Sequence, residues 1–388
     1  MTIDNAHKNN QGRKVLNVPN LRFPEFHGEW EKCKFKDVCS TSTGNKNTQD
    51  KIDDGIYPFY VRSQTVERIN SWTFDGEAIL TAGDGVGVGK VFHHTYGKIG
   101  VHQRVYILSN FKCDANYLFH FFSSHFYNRV KRMSAKNSVD SVRKEMITEM
   151  PLYLPSKQEQ AKIGVLLSLL DERISTQNKV IDKLQSLIRG INQRVFMNSG
   201  NNYKLGEICE IRSGYSGSQL LSKKGLKVSR IETISGHKVN MERVGYVAPF
   251  ESSENYRLRV GDILFSNINS VEYIGNTAFI DKDYDLYHGM NLLRLTPNHM
   301  VVIPFYLYLL LNTNRMLNRF KAVCNKAVSQ ASINQTELGK TVVQIPPIKT
   351  QEQICELYQA LYTKLETESH TKSLFQNQKQ YLLRQMFI

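Results

Sequence analysis

Residues 158–197 carry apolar side chains at alternating steps of four and three residues. This spacing is the heptad pattern of a coiled coil, in which an apolar stripe on one helix packs against a partner helix. No proline interrupts the stretch, and at ~1.5 Å per residue the seam would form a rod of about 50 Å. One polar residue, Gln177, lies on the seam. The apolar seam residues predicted for this first helix are Ile163, Leu167, Leu170, Ile174, Ile181, Leu184, Ile188 and Ile191.

The same seam recurs 191 residues later, where Gln177 corresponds to the polar Glu368. A heptad run taken alone is more often an oligomerisation helix, but a second copy provides a partner within the chain. We therefore expect the two helices to pair antiparallel with each other. The QEQ tripeptides at the helix starts lie 193 residues apart, which predicts a two-residue slip there. The seam residues predicted for the second helix are Ile354, Leu361, Leu365, Phe375 and Leu382.

The segments that precede the two long helices are also duplicated. Residues 34–44 (KFKDVCSTSTG) match residues 204–214 (KLGEICEIRSG), and a strand FDGEAIL at 74–80 corresponds to VGDILF at 260–265. A glycine-punctuated loop follows each of these strands. The repeated unit is about 180 residues long, which fits a tandem pair of domains rather than a solenoid.

Each copy continues with an aromatic, apolar helix, predicted at residues 116–133 and 304–323. We expect the aromatic side chains of these helices to form core rather than to stack on bases. The predicted fold class is α+β, with two duplicated α/β domains separated by two long antiparallel coiled-coil helices in a pseudo-twofold arrangement. The predicted boundaries are a flexible N-terminal arm at 1–20, a first globular domain at 21–155, a central helix at 156–199, a second globular domain at 200–347 and a C-terminal helix at 348–388.

Composition limits the class of protein further. The chain has 388 residues, 41% of them hydrophobic, which is enough for domains with their own cores. Its formal net charge of +14 favours a polyanionic partner such as nucleic acid, and a solvated basic surface is the alternative. The apolar runs are too short for a membrane span and the N-terminus lacks a signal-peptide core, so we predict a cytoplasmic location. The six cysteines are scattered without zinc-ligand spacing, and reduced thiols are expected.

Several motifs occur in order along the whole chain. They are the opening LRFPEF with Trp30, the doubled K-x-x-[DE]-[VI]-C entry, the GEAIL and GDIL strands, the loops SVDSVRKEM and SQASINQTEL, and the helix entries LPSKQEQ and PPIKTQEQ. This ordered set resembles the specificity (S) subunits of type I restriction-modification enzymes. Two basic domains on a rod of about 50 Å would also suit two DNA half-sites spaced by about 15 base pairs at ~3.4 Å per step.

The resemblance implies a division of labour between subunits. Two target recognition domains would each bind one half of a split double-stranded DNA sequence, and the spacer helices would dock two methyltransferase (M) subunits. Restriction and translocase (R) subunits would join through the complex. S-adenosylmethionine, ATP and Mg²⁺ would be cofactors of those partners, with none bound by this chain.

The sequence contains no complete catalytic motif. The glycine loop AGDGVGVGK departs from a phosphate loop at Asp84, which replaces the first glycine, and at Val91, which replaces Ser or Thr. The single Pro-Pro pair, at 346–347, is not part of an [ND]PP[YF] tetrad. We therefore predict no catalytic residue and no metal site, and interpret the glycine loop as a tight turn that bears Lys90. A coiled-coil interaction protein with incidental charge and a self-sufficient nuclease or methyltransferase stay as alternatives.

DNA contacts are expected from basic and hydrogen-bonding residues on loops, because phosphates bind Lys and Arg while base edges bind Arg, Asn, Gln and Ser. In the first domain the candidates are Arg62, Ser63, Lys90, Arg104, Lys136, Asn137, Ser138 and Arg143. In the second domain they are Arg230, Asn267, Asn269, Lys326, Ser329, Gln330 and Asn334. A basic cluster without acidic residues, predicted to contact phosphate, comprises Arg315, Arg319, Lys321 and Lys326.

Overall fold

The computed structural model describes residues 2–3, 16–134, 141–196, 200–326 and 330–388, with the backbone alone for residues 2, 3, 193 and 326. The chain divides into two compact units. Unit 1 comprises Met1–Lys179 and Ser369–Ile388, and unit 2 comprises Val180–Glu368. Each unit thus contains one globular copy of the duplication and part of each long helix.

A mixed β-sheet forms the centre of unit 1. The strands of this unit are β1 (Thr2–Ile3), β2 (Leu21–Arg22), β3 (Glu31–Lys34), β4 (Ser40–Thr43), β5 (Tyr57–Tyr60), β6 (Glu67–Ile69), β7 (Phe74–Ala82), β8 (Phe92–Val101), β9 (Val105–Ser109) and β10 (Pro151–Leu154). The main sheet has the order β4-β9-β7-β8-β5-β6, in which β5 and β8 are parallel and the other neighbours are antiparallel. The predicted strand at 74–80 is the first part of β7, whose last five residues are all buried.

The aromatic helix of unit 1 covers this sheet. The helices that begin in the unit are α1 (Phe35–Val38), α2 (Ala115–Met133), α3 (Lys144–Thr148) and α4 (Lys157–Val195). Asp114 caps α2, because its carboxylate accepts a hydrogen bond of 2.8 Å from the Tyr117 N–H. Tyr117, Phe122 and Phe126 are fully buried, so the expectation that these aromatic side chains form core is confirmed.

Unit 2 repeats the arrangement with a smaller main sheet. Its strands are β11 (Asn201–Lys204), β12 (Cys209–Ser213), β13 (Leu226–Val228), β14 (Gly245–Val247), β15 (Ile263–Ser266), β16 (Ile268–Asn269), β17 (Thr277–Phe279), β18 (Leu292–Pro297), β19 (Asn325–Lys326), β20 (Ala331–Ser332) and β21 (Val342–Ile345). The main sheet has the antiparallel order β12-β18-β15-β17, and a separate small sheet has the order β16-β20-β19. β11 pairs with β21 as β3 pairs with β10 in unit 1.

The second aromatic helix is interrupted, so the prediction of one helix at 304–323 was wrong. The helices that begin in unit 2 are α5 (Leu205–Ile208), α6 (Pro304–Leu311), α7 (Asn314–Val323), α8 (Gln335–Gly339) and α9 (Ile348–Gln385). At the break, the Asn312 side chain donates to the Tyr308 carbonyl at 2.8 Å, and the Thr313 side chain caps α7 by accepting from the Met316 N–H. Asn and Thr side chains compete with the helical backbone for its hydrogen-bonding groups, which favours a new start here.

The long helices α4 and α9 pack together inside each unit. In unit 1, Asp171 forms an ion pair with Lys379, and Arg173 lies over the ring of Phe375. The partner positions on α9 decrease as those on α4 increase, so the helices run antiparallel there. In unit 2, the Tyr358 hydroxyl donates to the Asn192 side chain. All the predicted apolar seam residues are buried or partly buried.

The predicted slip between the two helix starts does not occur. α4 begins at Lys157 and α9 at Ile348, which is an offset of 191. Gln160 donates to the Pro155 carbonyl at 2.8 Å, and Gln351 donates to the Pro346 carbonyl at the same distance. The third residue of the first QEQ therefore corresponds to the first residue of the second. Both glutamines are at least 97% buried, so packing sets this register and the repeated tripeptide does not.

Within the described ranges, no helix has the length and apolarity needed to cross a lipid bilayer. In the same residues, no group of three or more His, Cys, Asp or Glu side chains is arranged to hold a metal ion.

Candidate nucleic-acid interface

Three separate stretches of unit 1 bring two arginines to one aspartate. Arg62 follows β5, Asp84 follows β7 and Arg104 precedes β9. The Arg62 Nη1 donates to Asp84 Oδ1 at 2.7 Å, and the Arg104 Nε lies 3.7 Å from Asp84 Oδ2. The two arginine side chains are 46% and 65% exposed. Their guanidinium groups therefore face solvent on either side of one carboxylate.

A buried histidine supports this pair. The Arg104 N–H donates to the His102 Nδ1 at 2.9 Å, and the His102 N–H donates to the Tyr60 carbonyl at 3.0 Å. Burial lowers the pKa of His102, and the positive charge of Arg62 lowers it further. A neutral ring with Nδ1 as acceptor fixes the backbone from which Arg104 projects.

The glycine loop at 83–90 packs against the backbone of Arg62, as the prediction of a tight turn requires. A Cβ on Gly87 would lie 2.4 Å from the Arg62 carbonyl oxygen, and Gly85 and Gly89 have positive φ angles of 74° and 66°. Lys90 leaves the loop with its Nζ 5.7 Å from the centre of the Tyr127 ring.

The remaining candidates of unit 1 are placed as follows. Ser63 is exposed beside Arg62, and its hydroxyl donates to the Thr65 carbonyl at 3.1 Å. Ser141 forms a β-bridge with Asp84, and Arg143, two residues on, is exposed at the start of α3. The predicted contacts Lys136, Asn137 and Ser138 lie outside the described residues.

The candidates of unit 2 gather around its small three-stranded sheet. Asn269 pairs with Ala331, and Ala331 pairs with Lys326 on the other side, so β16 and β19 flank β20. The Asn269 Nδ2 donates to the Ser266 hydroxyl at 3.0 Å. The Asn267 Oδ1 is buried and accepts no hydrogen bond. Gln330 is exposed immediately before β20.

Two further candidates, Asn334 and Arg230, stand apart from that arrangement. The Asn334 Oδ1 accepts from the Glu337 N–H at 2.8 Å and caps α8, so this side chain already has a structural role. Arg230 lies on another loop, after β13, with its Nε 3.4 Å from Glu232 Oε2. Ser329 lies outside the described residues.

Asp84 was missing from the predicted contacts, although it connects Arg62 and Arg104. Sequence reasoning treated it only as the residue that spoils a phosphate loop. Its position two residues after a buried strand, in a glycine-rich turn, was the available signal. Its partners could not be identified from the sequence, because Arg62 and Arg104 lie 22 and 20 residues away along the chain.

The comparison with protein families decides the class of this chain. Residues 27–186 and 199–374 each match the model of the type I restriction modification DNA specificity domain. The chain belongs to this family. The fold class and the family expected from the sequence are therefore confirmed, including the duplication.

Individual proteins to which the chain is similar are named specificity subunits of type I restriction enzymes. The chain is similar to the MjaX specificity subunit of a type I restriction enzyme from Methanocaldococcus jannaschii, with 38% identity over 47% of this chain and 44% of the relative. It is 25% identical to the EcoDI specificity subunit of Escherichia coli, over 43% of this chain and 37% of the relative. These matches span less than half the length of either relative. A match to the MjaVIII specificity subunit of M. jannaschii is 23% identical and covers 93% of this chain and 94% of the relative.

Solved structures have the same fold. The S subunit of a type I restriction-modification system from M. genitalium matches with a TM-score of 0.67 and 16% identity, over 96% of this chain and 99% of that chain. A chain from a structural study of complex assembly and conformational transition in a type I restriction-modification system matches with a TM-score of 0.56 and 16% identity, over 94% of this chain and 98% of that chain.

Proposed function

We propose that this chain is the DNA-recognition subunit of a type I restriction-modification enzyme and that each repeat binds one half of a bipartite target. The observation that carries the proposal is the double match, since 27–186 and 199–374 each match the same DNA specificity domain. Two copies of one DNA-binding domain on one chain suit a target made of two half-sites. The chain itself has no catalytic role.

In unit 1, the exposed arginines would bind the first half-site. Ion pairs between exposed side chains contribute only about 0–1 kcal/mol, so DNA can draw Arg62 and Arg104 away from Asp84. Arginine binds phosphate oxygens or, with two parallel hydrogen bonds, the O6 and N7 atoms of guanine. Lys90 and Arg143 would add contacts beside them, and Lys136, Asn137 and Ser138 stay in the proposal as predicted contacts.

In unit 2, side-chain amides dominate the candidate surface. Asn267, Asn269 and Gln330 lie on or beside the small sheet. Asn and Gln bind adenine through its N6 and N7 atoms. The Asn267 Oδ1 accepts no hydrogen bond from the described residues, so it keeps the capacity to accept one from the N6 amino group of adenine. Arg315, Arg319 and Lys321 on α7 would contact phosphate.

The long helices would set the spacing between half-sites and dock the partner subunits. We retain the boundaries expected from the sequence, with the arm at 1–20, recognition domains at 21–155 and 200–347, and spacer helices at 156–199 and 348–388. Besides their seams, the helices carry apolar side chains that are about half exposed, namely Val165, Leu169, Leu187, Leu374 and Tyr381. Such side chains suit two M subunits. The partners would use S-adenosylmethionine, ATP and Mg²⁺, with the R subunits joining through the complex.

The test is selection from a random duplex pool by the chain in complex with its M subunit. We expect one enriched motif with two short specified halves and an unspecified spacer, and binding that weakens as salt rises. The matched control replaces residues 200–347 with a second copy of residues 21–155, which should convert the motif into two copies of one half-site. Enrichment of no motif, or binding insensitive to salt, would falsify the proposal.

A further inference from the structure

The glycine loop of unit 1 holds one apolar side chain out in solvent. Val86 is 96% exposed, whereas Val88, two residues on, is 2% exposed and belongs to the core of unit 1. Single exposed apolar side chains are common on protein surfaces, so exposure alone indicates no site.

The loop holds Val86 as a fixed projection. The Val88 N–H donates to the Gly85 carbonyl at 3.1 Å, and the Lys90 N–H donates to the Gly87 carbonyl at 3.0 Å. The close approach of Gly87 to the Arg62 backbone and the buried Val88 anchor the turn on both sides of its tip. Val86 therefore requires little further ordering when a ligand binds.

Val86 belongs to a turn that two cationic groups approach. A Cβ on the adjacent Gly85 would lie 3.9 Å from the Arg62 Nη1. Arg104 approaches the other oxygen of Asp84, the residue before Gly85. The exposed isopropyl group of Val86 thus follows two residues, Asp84 and Gly85, that arginines approach, which presents an apolar contact in the same turn as donors for phosphate or guanine.

We propose that Val86 contacts the 5-methyl group of a thymine in the major groove and thereby selects a T·A pair within the half-site read by unit 1. This inference rests on the proposed DNA recognition. Among the four bases, thymine alone offers a methyl group in that groove, and apolar side chains are its usual partners. Side chains that insert between base steps from the minor groove are generally larger than valine, so insertion is the less suitable role for Val86.

The test removes the methyl group from either side of the contact. The wild-type chain and Val86→Ala, each with its M subunit, are measured against the selected duplex made with thymine or with 2′-deoxyuridine at single positions. For the wild type, one thymine in the first half-site should lose about fourfold in affinity on replacement, the factor for burying one methyl group. For Val86→Ala the same replacement should leave the affinity unchanged. For Val86→Thr, whose side chain has the same shape as valine, the loss of affinity should lie between those of the wild type and Val86→Ala.

Tyr96→Ala provides the matched control. Tyr96 is 83% exposed and pairs with Glu77, near the opposite end of β7 from the glycine loop. This variant should respond to deoxyuridine as the wild type does. Circular dichroism melting curves verify that each variant is folded.

The outcomes separate this inference from the proposed function. If the wild type selects no motif, DNA recognition itself fails. If the wild type selects a motif but no single deoxyuridine in the first half-site weakens it, or if Val86→Ala stays equally sensitive, the contact with thymine is wrong while DNA recognition stands. An equal loss of affinity for all sequences in Val86→Ala, together with loss of DNA bending, would indicate insertion and overturn the proposal.

Discussion

Unit 1 and unit 2 have the same close contacts at interior glycines and differ in the side chains at their exposed edges. The glycine pairs Gly44 and Gly214, and Gly89 and Gly275, hold equivalent places in the two repeats. A Cβ at any of these positions would come within 2.9 Å of a neighbouring atom, either backbone or an aromatic side chain of the following helix. Such close contacts permit only glycine, so both repeats retain the same backbone path to their candidate surfaces.

The exposed edges are chemically different. Unit 1 presents arginines around Asp84, whereas unit 2 presents asparagines on a small sheet that unit 1 lacks in its described part. A buried histidine stands at the corresponding turn of each repeat, His102 and His288, and burial lowers the pKa of both. The supporting residues are therefore repeated while the contacting residues are not, which is the expected division if each repeat reads its own sequence.

The repeats also differ where the long helices meet the aromatic helices. Phe387, two residues after the last residue of α9, contacts Tyr117 and Phe121 of the continuous helix α2, at ring-centre distances of 5.2 and 5.6 Å. Its counterpart Phe196, 191 residues earlier, lies in unit 2 beside a cavity of about 380 Å³. The break between α6 and α7 lines this cavity, so the second repeat is the less tightly packed at this joint.

The largest expected effect tests that difference. Phe387→Ala should lower the free energy of unfolding by about 4 kcal/mol, because it leaves a void among buried rings. Phe196→Ala should cost about half as much, since its ring is partly exposed and already borders a cavity. Urea unfolding followed by circular dichroism measures both. Equal losses would mean that the cavity is filled in solution and that the two joints are alike.

The next largest loss of stability is expected at the two buried glutamines near the starts of the long helices. Gln351 makes three hydrogen bonds to backbone groups, with the Ile303 N–H and the carbonyls of Val301 and Pro346, whereas Gln160 makes two. Replacement by Leu leaves buried backbone groups unpaired, at about 1–3 kcal/mol for each site. We expect about 3 kcal/mol for Gln351→Leu and about 2 kcal/mol for Gln160→Leu. The same urea titration decides the order, and a larger cost at Gln160 would contradict it.

The duplicated elements could be predicted from the sequence, whereas the residues that different loops bring together could not. Period and offset specified α4 and α9 to within two residues at each start, because an apolar seam constrains every turn of a helix. The two QEQ tripeptides gave a wrong alignment of the helix starts. The buried Gln160 and Gln351 occupy equivalent positions, although Gln160 is the third residue of its tripeptide and Gln351 is the first. The Arg62, Asp84 and Arg104 arrangement could not be predicted, because no periodicity links three loops that meet only through the sheet.

The two units also differ at one buried position of the aromatic helix, where unit 1 has His120 on α2 and unit 2 has Leu309 on α6. Burial, together with the positive charge of the nearby Lys379, lowers the pKa of His120 to about 3. Asp171 lies 3.8 Å from its Nδ1, too far for a hydrogen bond, so burial prevails. The folded state disfavours the charged ring, and stability is complete above the unfolded pKa near 6.5 and declines as pH falls toward 3.

The expected loss from His120 is about 2 kcal/mol between pH 6.5 and pH 5. Urea unfolding at both pH values measures it, and His120→Leu should remove that part of the pH dependence. The control is His288→Leu in unit 2, which removes a buried histidine with its own lowered pKa and should leave the His120 contribution in place. An unchanged pH dependence in His120→Leu would show that the ring is protonated or solvated in the folded protein.

The smallest effect concerns the two arginines that follow equivalent strands, Arg62 after β5 and Arg230 after β13. Each substitution to alanine should weaken DNA binding by about tenfold, or about 1.4 kcal/mol. A phosphate contact would also reduce the slope of affinity against salt by about one, whereas a base contact would relax selectivity at one position. Binding of the complex is measured on duplexes altered in one half-site at a time. If the repeats read independently, Arg62→Ala changes the response to one half-site only and Arg230→Ala changes the response to the other. If both variants alter the same half-site, or each alters both, the two units form one reading surface and the comparison between them fails.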